Sequence, residues 1–173
     1  QGYALLYPWH HDSGFPLERL GHPSLSSDKC HWVTMAVHVL VDDKSLNPED
    51  LRHFIDVEGC GSIVTFVGLT RSEESGSLVK RLEFDAWEEE LPRVLREIAE
   101  ESISSFGIKS VVIAHRIGSV GPGDTIVCIH VGSEHRKEGF SACSWLISEL
   151  KKQAPLWKKE IREDGEYWKS GLG

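Results

Sequence analysis

The sequence predicts an α+β fold. Two long segments, 90–106 and 133–151, have the three- and four-residue apolar spacing of amphipathic helices. Shorter runs, either rich in Val and Ile or alternating in polarity, are typical of strands. Two pairs of these runs are joined by polar or glycine-rich turns, which indicates antiparallel pairing. With 173 residues, of which 40% are hydrophobic, the chain can form one domain or one domain plus an appendage.

The first half of the domain is predicted to contain three strands and a short helix. Residues 33–41 read as a strand, and Asn47 then offers a cap for a helix with Pro48 at its first position. The β-branched run 59–69 is predicted to be a buried strand, whereas 78–87 alternates like a half-exposed one. We expect these two strands to pair antiparallel across the polar loop between them.

The second half is predicted to contain a helix, a hairpin and a second helix. The first helix covers 90–106 and ends at Gly107. Strands 109–117 and 124–132 form a hairpin with a long tip. Ser133 is the predicted cap of the second long helix.

The end of this second helix is the stretch around which the domain is organised. Pro155 stops the helix, because proline lacks an amide donor and disfavours helix at the preceding residue. Two lysine pairs flank the stop, with Lys151 and Lys152 before it and Lys158 and Lys159 after it. The apolar face of the helix upstream consists of Phe140, Cys143, Leu146, Ile147 and Leu150.

Residues 155–157, Pro-Leu-Trp, are predicted to anchor this bend, so that lysines from both sides point to one place. Four cations there would make a site for an anion, or for a carbonyl that an amine can bind or attack. The alternative is a solvated helix end, because lysines at a helix C-terminus complement the macrodipole.

Two further groups are candidate anion ligands. Arg71 stands where a strand passes into a polar loop, a common position for a ligand-binding side chain; the alternative is a surface arginine paired with Glu73 or Glu74. His135 and Arg136 are expected in the first turn of the second helix, whose free amides suit an anion. The helix is ~20 Å or more long at 1.5 Å per residue, so this pair and the lysines are not expected to form one cluster within a subunit. Either there are two sites, or a second copy of the chain brings one end to the other.

Composition excludes some classes of protein. The net charge of -8 argues against general nucleic-acid binding. No run approaches the ~18 apolar residues of a membrane span, and no secretory signal is visible. No C-x-x-C pair occurs, so we expect buried free thiols in a reducing compartment and a cytosolic protein. The four cysteines are Cys30, Cys60, Cys128 and Cys143.

Residues 1–32 differ from the remainder. They lack a clear hydrophobic period and carry four of the nine histidines. The motif Y-P-W-H-H-D at 7–12 suggests a metal site, but adjacent histidines point in different directions and no further ligand follows at a usual spacing. We therefore interpret 1–32 as an N-terminal extension of unknown role and 33–173 as the functional domain, and we expect neither a metal nor a resident cofactor.

Five motifs carry a family resemblance, in order and spacing. They are F-V-G-L-T-R at 66–71, H-R-I-G at 115–118, P-G-D at 122–124, S-E-H-R at 133–136 and K-K-Q-A-P-L-W-K-K-E at 151–160. Together they resemble the large, catalytic subunit of molybdopterin synthase, the MoaE type. The resemblance covers roughly 33–169.

The resemblance implies an α/β hammerhead fold with an additional antiparallel β subdomain. It implies a homodimer within a heterotetramer, in which each large subunit binds one small ubiquitin-like subunit of the MoaD type. The partner's C-terminal Gly-Gly tail carries a thiocarboxylate and inserts into a pocket of the large subunit. The implied reaction transfers two sulfurs to cyclic pyranopterin monophosphate and forms the dithiolene of molybdopterin.

The resemblance also implies site residues. The family's two active-site lysines map onto Lys151 and Lys158, and its loop arginine maps onto Arg71. The histidine–arginine pair that binds anionic substrate groups maps onto His135 and Arg136, in a pocket similar to one shared across the dimer interface. We expect Lys151 nearest the partner's tail and the chemistry, and Lys158 as the residue that positions substrate or transfers a proton.

Two other functions remain open at this point. One is a non-catalytic binding module that keeps the groove for a ubiquitin-like tail, and the other is a generic anion-binding α+β protein. A degenerate binder would be free to lose some of the five mapped residues. All five are present, which favours the enzyme.

Overall fold

The structure is a computed structural model and describes residues 36–169. The predictions made for 1–32, including the histidine motif, lie outside these residues. The strands are β1 (Val37–Asp42), β2 (Ser62–Leu69), β3 (Glu73–Glu74), β4 (Ser77–Ala86), β5 (Ser110–Arg116), β6 (Gly118–Val120), β7 (Thr125–Ser133), β8 (Leu156–Arg162) and β9 (Gly165–Lys169). The helices are α1 (Pro48–Arg52), α2 (Leu91–Phe106) and α3 (Arg136–Gln153).

Two sheets organise the described residues. The first has the strand order β1-β5-β7-β2, in which β1 is parallel to β5 and the other neighbours are antiparallel. The second is antiparallel, with the order β3-β4-β8-β9 and with β6 also paired to β4. The α+β class is therefore confirmed, and the second sheet corresponds to the additional antiparallel β subdomain.

The main core lies between one face of the first sheet, the two long helices and the second sheet. Successive strand side chains point to opposite faces, so Val111 and Ile113 of β5 enter this core while Val112 and Ala114 face the short helix α1. α2 contributes its apolar face to the core, and it ends at Gly107, whose left-handed φ of 64° a glycine adopts without strain.

In the first half of the domain, the predicted helix cap is present, whereas the predicted burial of the 59–69 strand is not. The cap is confirmed, because the side chain of Asn47 accepts a hydrogen bond from the amide of Glu49 at 3.1 Å and Pro48 begins α1. The prediction of a buried strand over 59–69 is wrong in its burial. Among residues 36–169, β2 is an edge strand of the first sheet and has only β7 beside it, so its side chains are half-buried or exposed.

The predicted pairing of 78–87 with 59–69 is also wrong. The polar loop forms its own hairpin, with Glu73 opposite Leu78 and left-handed residues at Ser75 and Gly76. This hairpin directs β4 away from β2 and into the second sheet, where β4 pairs with β8 and β6. β2 pairs instead with β7, a strand far away in the sequence.

The start of α3 lies close against the first sheet. A Cβ on Gly139 would lie 2.5 Å from Ser133 Oγ, so only glycine permits this approach. Ser133 was predicted to cap this helix, but it is the last residue of β7, so that prediction is wrong. Its hydroxyl donates a hydrogen bond to the carbonyl of His135 at 3.0 Å. The cap position belongs to His135, whose side chain makes no capping hydrogen bond.

The end of α3 agrees with the proline argument. The helix ends at Gln153, Ala154 is extended, and β8 begins directly after Pro155. Leu156 is the buried part of the predicted anchor, whereas Trp157 is 53% exposed. Phe140 is 64% exposed as well, so it does not belong to the buried helix face to which the spacing assigned it.

Candidate active site

A cleft of about 240 Å³ opens where the end of α3 meets both sheets. Aliphatic and aromatic side chains from β2, β4, β7 and α3 form most of its wall. Its polar lining residues are Arg71, Glu74, His115, Lys151, Lys158 and Glu160. We call it the lysine cleft.

The break at Pro155 places two lysines in this cleft from different elements. Lys151 comes from the last turn of α3, and Lys158 comes from β8. In the register of the second sheet, Lys158 lies opposite Phe84 and Glu160 lies opposite Leu82. Because alternate residues of a strand share one face, both charged side chains point inward with these buried neighbours.

The other two lysines of the run lie elsewhere, so the prediction of four converging cations is wrong for half of them. Lys152 pairs with Glu149 on the helix surface at 2.6 Å. Lys159 occupies the opposite face of β8, where it contacts Glu83 at 3.1 Å and Glu166 at 3.3 Å.

Arg71 supplies the third cation of the cleft. Its guanidinium contacts Glu74 Oε2 at 2.7 Å, yet its side chain is 74% exposed. Both interpretations of the sequence therefore hold together, since Arg71 is an exposed arginine paired with an acidic neighbour and also lines the cleft.

A buried carboxylate holds the inner end of the cleft together. The carboxylate of Glu160 accepts a hydrogen bond from Arg162 Nε at 3.0 Å and lies 3.7 Å from Lys158 Nζ and 3.5 Å from Lys169 Nζ. Burial alone would raise the pKa of Glu160, but the hydrogen bond from Arg162 and the nearby cations together lower it. Glu160 is therefore an anion that faces three cations.

Lys158 is the buried lysine of the site. Its side chain is 10% exposed, and burial lowers its pKa. The positive charges of Lys169 and Arg71 lower this pKa further, whereas the negative charge of Glu160 raises it. A lysine with a lowered pKa can hold an anion and can also exchange a proton with a bound group.

His135 and Arg136 do not enter the lysine cleft. They line a second, more open cleft at the start of α3, together with Gly61 and Ser62. His135 Nε2 lies 3.6 Å from Glu134 Oε1, and its side chain is 75% exposed. Arg136 and Lys151 are 15 residues apart in α3, which is about 22 Å at 1.5 Å per residue, so the predicted separation of this pair from the lysines holds within one chain.

Comparison with known proteins assigns the family. A sequence model described as "MoaE protein" matches residues 41–153. The chain is 40% identical to the molybdopterin synthase catalytic subunit of Arabidopsis thaliana, over 77% of this chain and 67% of that protein. It is 33% identical to the protein of the same name from Pyrococcus abyssi, over 78% of this chain and 91% of that one. The chain belongs to the MoaE family.

A solved structure supports the same assignment for this MoaE chain. The crystal structure of molybdopterin synthase from Staphylococcus aureus superposes with a TM-score of 0.70 at 31% identity. The match covers 81% of this chain and 99% of that one. The family resemblance that five short motifs indicated is therefore confirmed.

The described residues of the MoaE chain contain neither a membrane-spanning helix nor a metal-binding cluster. Between residues 36 and 169, no helix combines the length and the apolar character needed to cross a membrane. The same part of the chain contains no cluster of three or more His, Cys, Asp or Glu residues arranged to hold a metal ion.

The sequence argument missed three polar residues of the lysine cleft in this MoaE chain. Glu160 lies in a lysine-rich run, Glu74 lies in a polar loop and His115 lies in a strand. Polar residues are common at such positions, so nothing marked these three as site residues. One available signal was the alternation of Lys158, Glu160 and Arg162, which places all three on one face of a strand.

The buried histidine predicts how stability of the MoaE chain depends on pH. Burial lowers the pKa of His115 to about 4, against the opposing effect of its hydrogen bond to the Arg116 carbonyl. Because this pKa lies below its value in the unfolded chain, the unfolded state binds a proton first as the pH falls. Stability from His115 is thus present above pH ~6.5 and is lost as the pH falls toward 4.

We expect the free energy of unfolding to fall by roughly 2 kcal/mol from this source between pH 7.5 and pH 5. Urea denaturation at both pH values measures it, and His115→Gln should show a correspondingly smaller loss. His130, whose pKa burial also lowers, contributes in the same direction in both proteins. An equal loss in wild type and variant would contradict the assignment to His115.

Proposed function

We propose that this chain is the catalytic subunit of molybdopterin synthase. It would transfer sulfur from the thiocarboxylated C-terminus of a small ubiquitin-like subunit to cyclic pyranopterin monophosphate. The observation that carries the proposal is the convergence of Arg71, Lys151 and Lys158 on one cleft of a MoaE-family chain. The similarity to two proteins named as catalytic subunits of this enzyme supports it.

The chemistry suits these residue types. A thiocarboxylate and a cyclic phosphate are both anionic, and cationic side chains bind both groups. As sulfur attacks a carbon of the pterin, negative charge develops on the substrate, and fixed cations stabilise it. In this proposal Lys151, at the exposed end of α3, meets the tail, and the buried Lys158 positions substrate or transfers a proton. Arg71 holds the phosphate or the pterin ring.

The site requires a second copy of the chain in this proposal. His135 and Arg136 lie at the far end of α3 from the lysine cleft, so one chain does not bring them to the substrate that Lys151 holds. A homodimer that places one protomer's α3 start beside its partner's lysine cleft resolves this separation. Two such protomers, each with one small subunit, form a heterotetramer.

We assign the catalytic domain to 33–173 and treat 1–32 as an extension without an assigned role. A cytosolic location agrees with the free thiols of Cys60, Cys128 and Cys143 in the described residues.

A reconstitution assay tests the proposed function. The chain is mixed with a thiocarboxylated small subunit and cyclic pyranopterin monophosphate, and the dithiolene product is oxidised to its fluorescent derivative. We expect product only when all three components are present. A chain that binds the small subunit but yields no product would be a non-catalytic binding module instead.

Subunit mixing tests the shared site. We expect Lys151→Ala and the double variant His135→Ala/Arg136→Ala each to be inactive alone. After subunit exchange, mixed dimers contain one site with all residues intact, so activity should return to about a quarter of the wild-type value. Mixtures that stay inactive although exchange is demonstrated would place each complete site within one chain.

A further inference from the structure

The lysine cleft is lined by one histidine, His115, for which the proposed reaction has no role. His115 is 2% exposed, and its ring lines the cleft beside Phe84, with ring centroids 5.4 Å apart and an interplanar angle of 78°. β5 places the ring there because His115 follows Ile113 on the strand face that points to the main core. The position is therefore fixed by a central strand and an aromatic contact.

The backbone determines which nitrogen of the ring carries the proton. Nδ1 of His115 lies 2.8 Å from the carbonyl oxygen of Arg116. A carbonyl oxygen only accepts hydrogen bonds, so Nδ1 is protonated and donates, and the neutral ring keeps a lone pair at Nε2. Within residues 36–169, no group donates a hydrogen bond to this nitrogen.

The other polar groups of the cleft have different chemistry. Arg71, Lys151 and Lys158 are donors that attract anions, and the two carboxylates are already paired, Glu74 with Arg71 and Glu160 with Arg162. Nε2 of His115 is a neutral acceptor in a mostly apolar wall. A bound molecule that supplies an N–H group can pair with this acceptor, and such a hydrogen bond contributes about 1 kcal/mol.

We propose that His115 Nε2 accepts a hydrogen bond from an amide-type N–H group of the molecule bound in the lysine cleft, and so determines its specificity and orientation. The proposal rests on the proposed function, which supplies two such groups. One is a backbone amide of the small subunit's Gly-Gly tail, and the other is the lactam N–H of the pterin. The cations would then bind the anionic end of the ligand, while His115 accepts a hydrogen bond from its neutral N–H group.

Near neutral pH, His115 does not act as a positively charged ligand for an anion. Burial holds the pKa of the ring at about 4, so the ring is neutral. A neutral imidazole with Nδ1 bound to a carbonyl has only an acceptor to offer. The acceptor role of Nε2 therefore follows from the geometry of the ring, and burial keeps the ring neutral.

Binding titrations of three proteins test the proposal: wild type, His115→Phe and His115→Gln. Phenylalanine keeps a ring against Phe84 but lacks the acceptor, whereas glutamine restores an acceptor oxygen near the position of Nε2. One set of titrations uses the small subunit with its unmodified C-terminal carboxylate, and the other uses cyclic pyranopterin monophosphate. We expect His115→Phe to weaken one of the two about tenfold and His115→Gln to recover most of that loss. The weakened ligand identifies the source of the N–H group.

A spectroscopic measurement on the wild-type chain serves as a second test if His115→Phe does not fold. The 15N resonance of unprotonated Nε2 should move upfield when the same ligand binds, as for a nitrogen that accepts a hydrogen bond. Unchanged affinities in His115→Phe, or an unmoved Nε2 resonance with both ligands bound, would overturn the role of His115 alone. A wild-type chain that binds neither ligand would overturn the proposed function together with it.

Discussion

Replacing Lys151 by alanine is expected to lower product formation at least about a hundredfold, while the fold and the small subunit's binding persist. Lys151 lies in the last turn of α3 and lines the lysine cleft. In the proposed reaction its ammonium meets the anionic groups of both reactants. Its side chain is exposed, so its removal leaves no cavity in the core. The loss should therefore appear in turnover and not in stability.

Lys152→Ala is the matched control for this variant. It removes the same side chain from the neighbouring position, but Lys152 pairs with Glu149 on the helix surface and does not line the cleft. We expect near-normal product from Lys152→Ala and unchanged thermal unfolding for both variants. Equal losses in the two variants would point to the helix end as a general electrostatic surface, and normal synthesis by Lys151→Ala would contradict its catalytic role.

Much of the local structure could be predicted because its causes are local. The side chain of Asn47 satisfies an amide two residues away, and Gly107 ends a helix through its own backbone angle. The stop at Pro155 is equally local, and it accounts for the lysines that reach one cleft from two elements. These signals depend on a few consecutive residues, so the sequence contains them completely.

The pairing of the strands depended on information that no short stretch holds. β4 was predicted beside β2 because the loop between them is short and polar. The same loop contains the two-residue strand β3, which forms a hairpin with the start of β4, and β4 then pairs with β8. The burial of Lys158 and Glu160 follows from that pairing. Without the correct partner of β4, a lysine-rich run reads as solvated surface, and Glu160 reads as one more exposed charge.

The arrangement also explains why only one lysine of the second pair belongs to the site. Lys158 and Lys159 are adjacent in a strand, so their side chains point to opposite faces of the sheet. Lys158 enters the cleft, and Lys159 joins Glu83 and Glu166 on the outer face. The prediction of four converging cations treated the segment after Pro155 as an irregular bend, in which this alternation does not apply.

Replacing Glu160 by glutamine is expected to have the largest effect on stability. The substitution keeps the size of the side chain but removes the negative charge that faces Lys158, Arg162 and Lys169. Leaving the buried Lys158 and Arg162 without their carboxylate costs about 3 kcal/mol, which lowers the midpoint of thermal unfolding by about 10 °C. Glu163→Gln, on the exposed turn between β8 and β9, removes the same charge from the surface and should leave the midpoint within about 1 °C.

The same substitution should change the pH dependence of catalysis, because the charge of Glu160 raises the pKa of Lys158. Without it, that pKa falls further below its usual value, and the limb of the pH–rate profile that reports Lys158 moves to lower pH. The stability difference between wild type and Glu160→Gln should shrink as the pH falls through the lowered pKa of Glu160, since protonation then neutralises the wild-type carboxyl group. A variant that unfolds at the wild-type temperature with an unshifted pH–rate profile would show that Glu160 neither stabilises the inner end of the cleft nor sets the charge of Lys158.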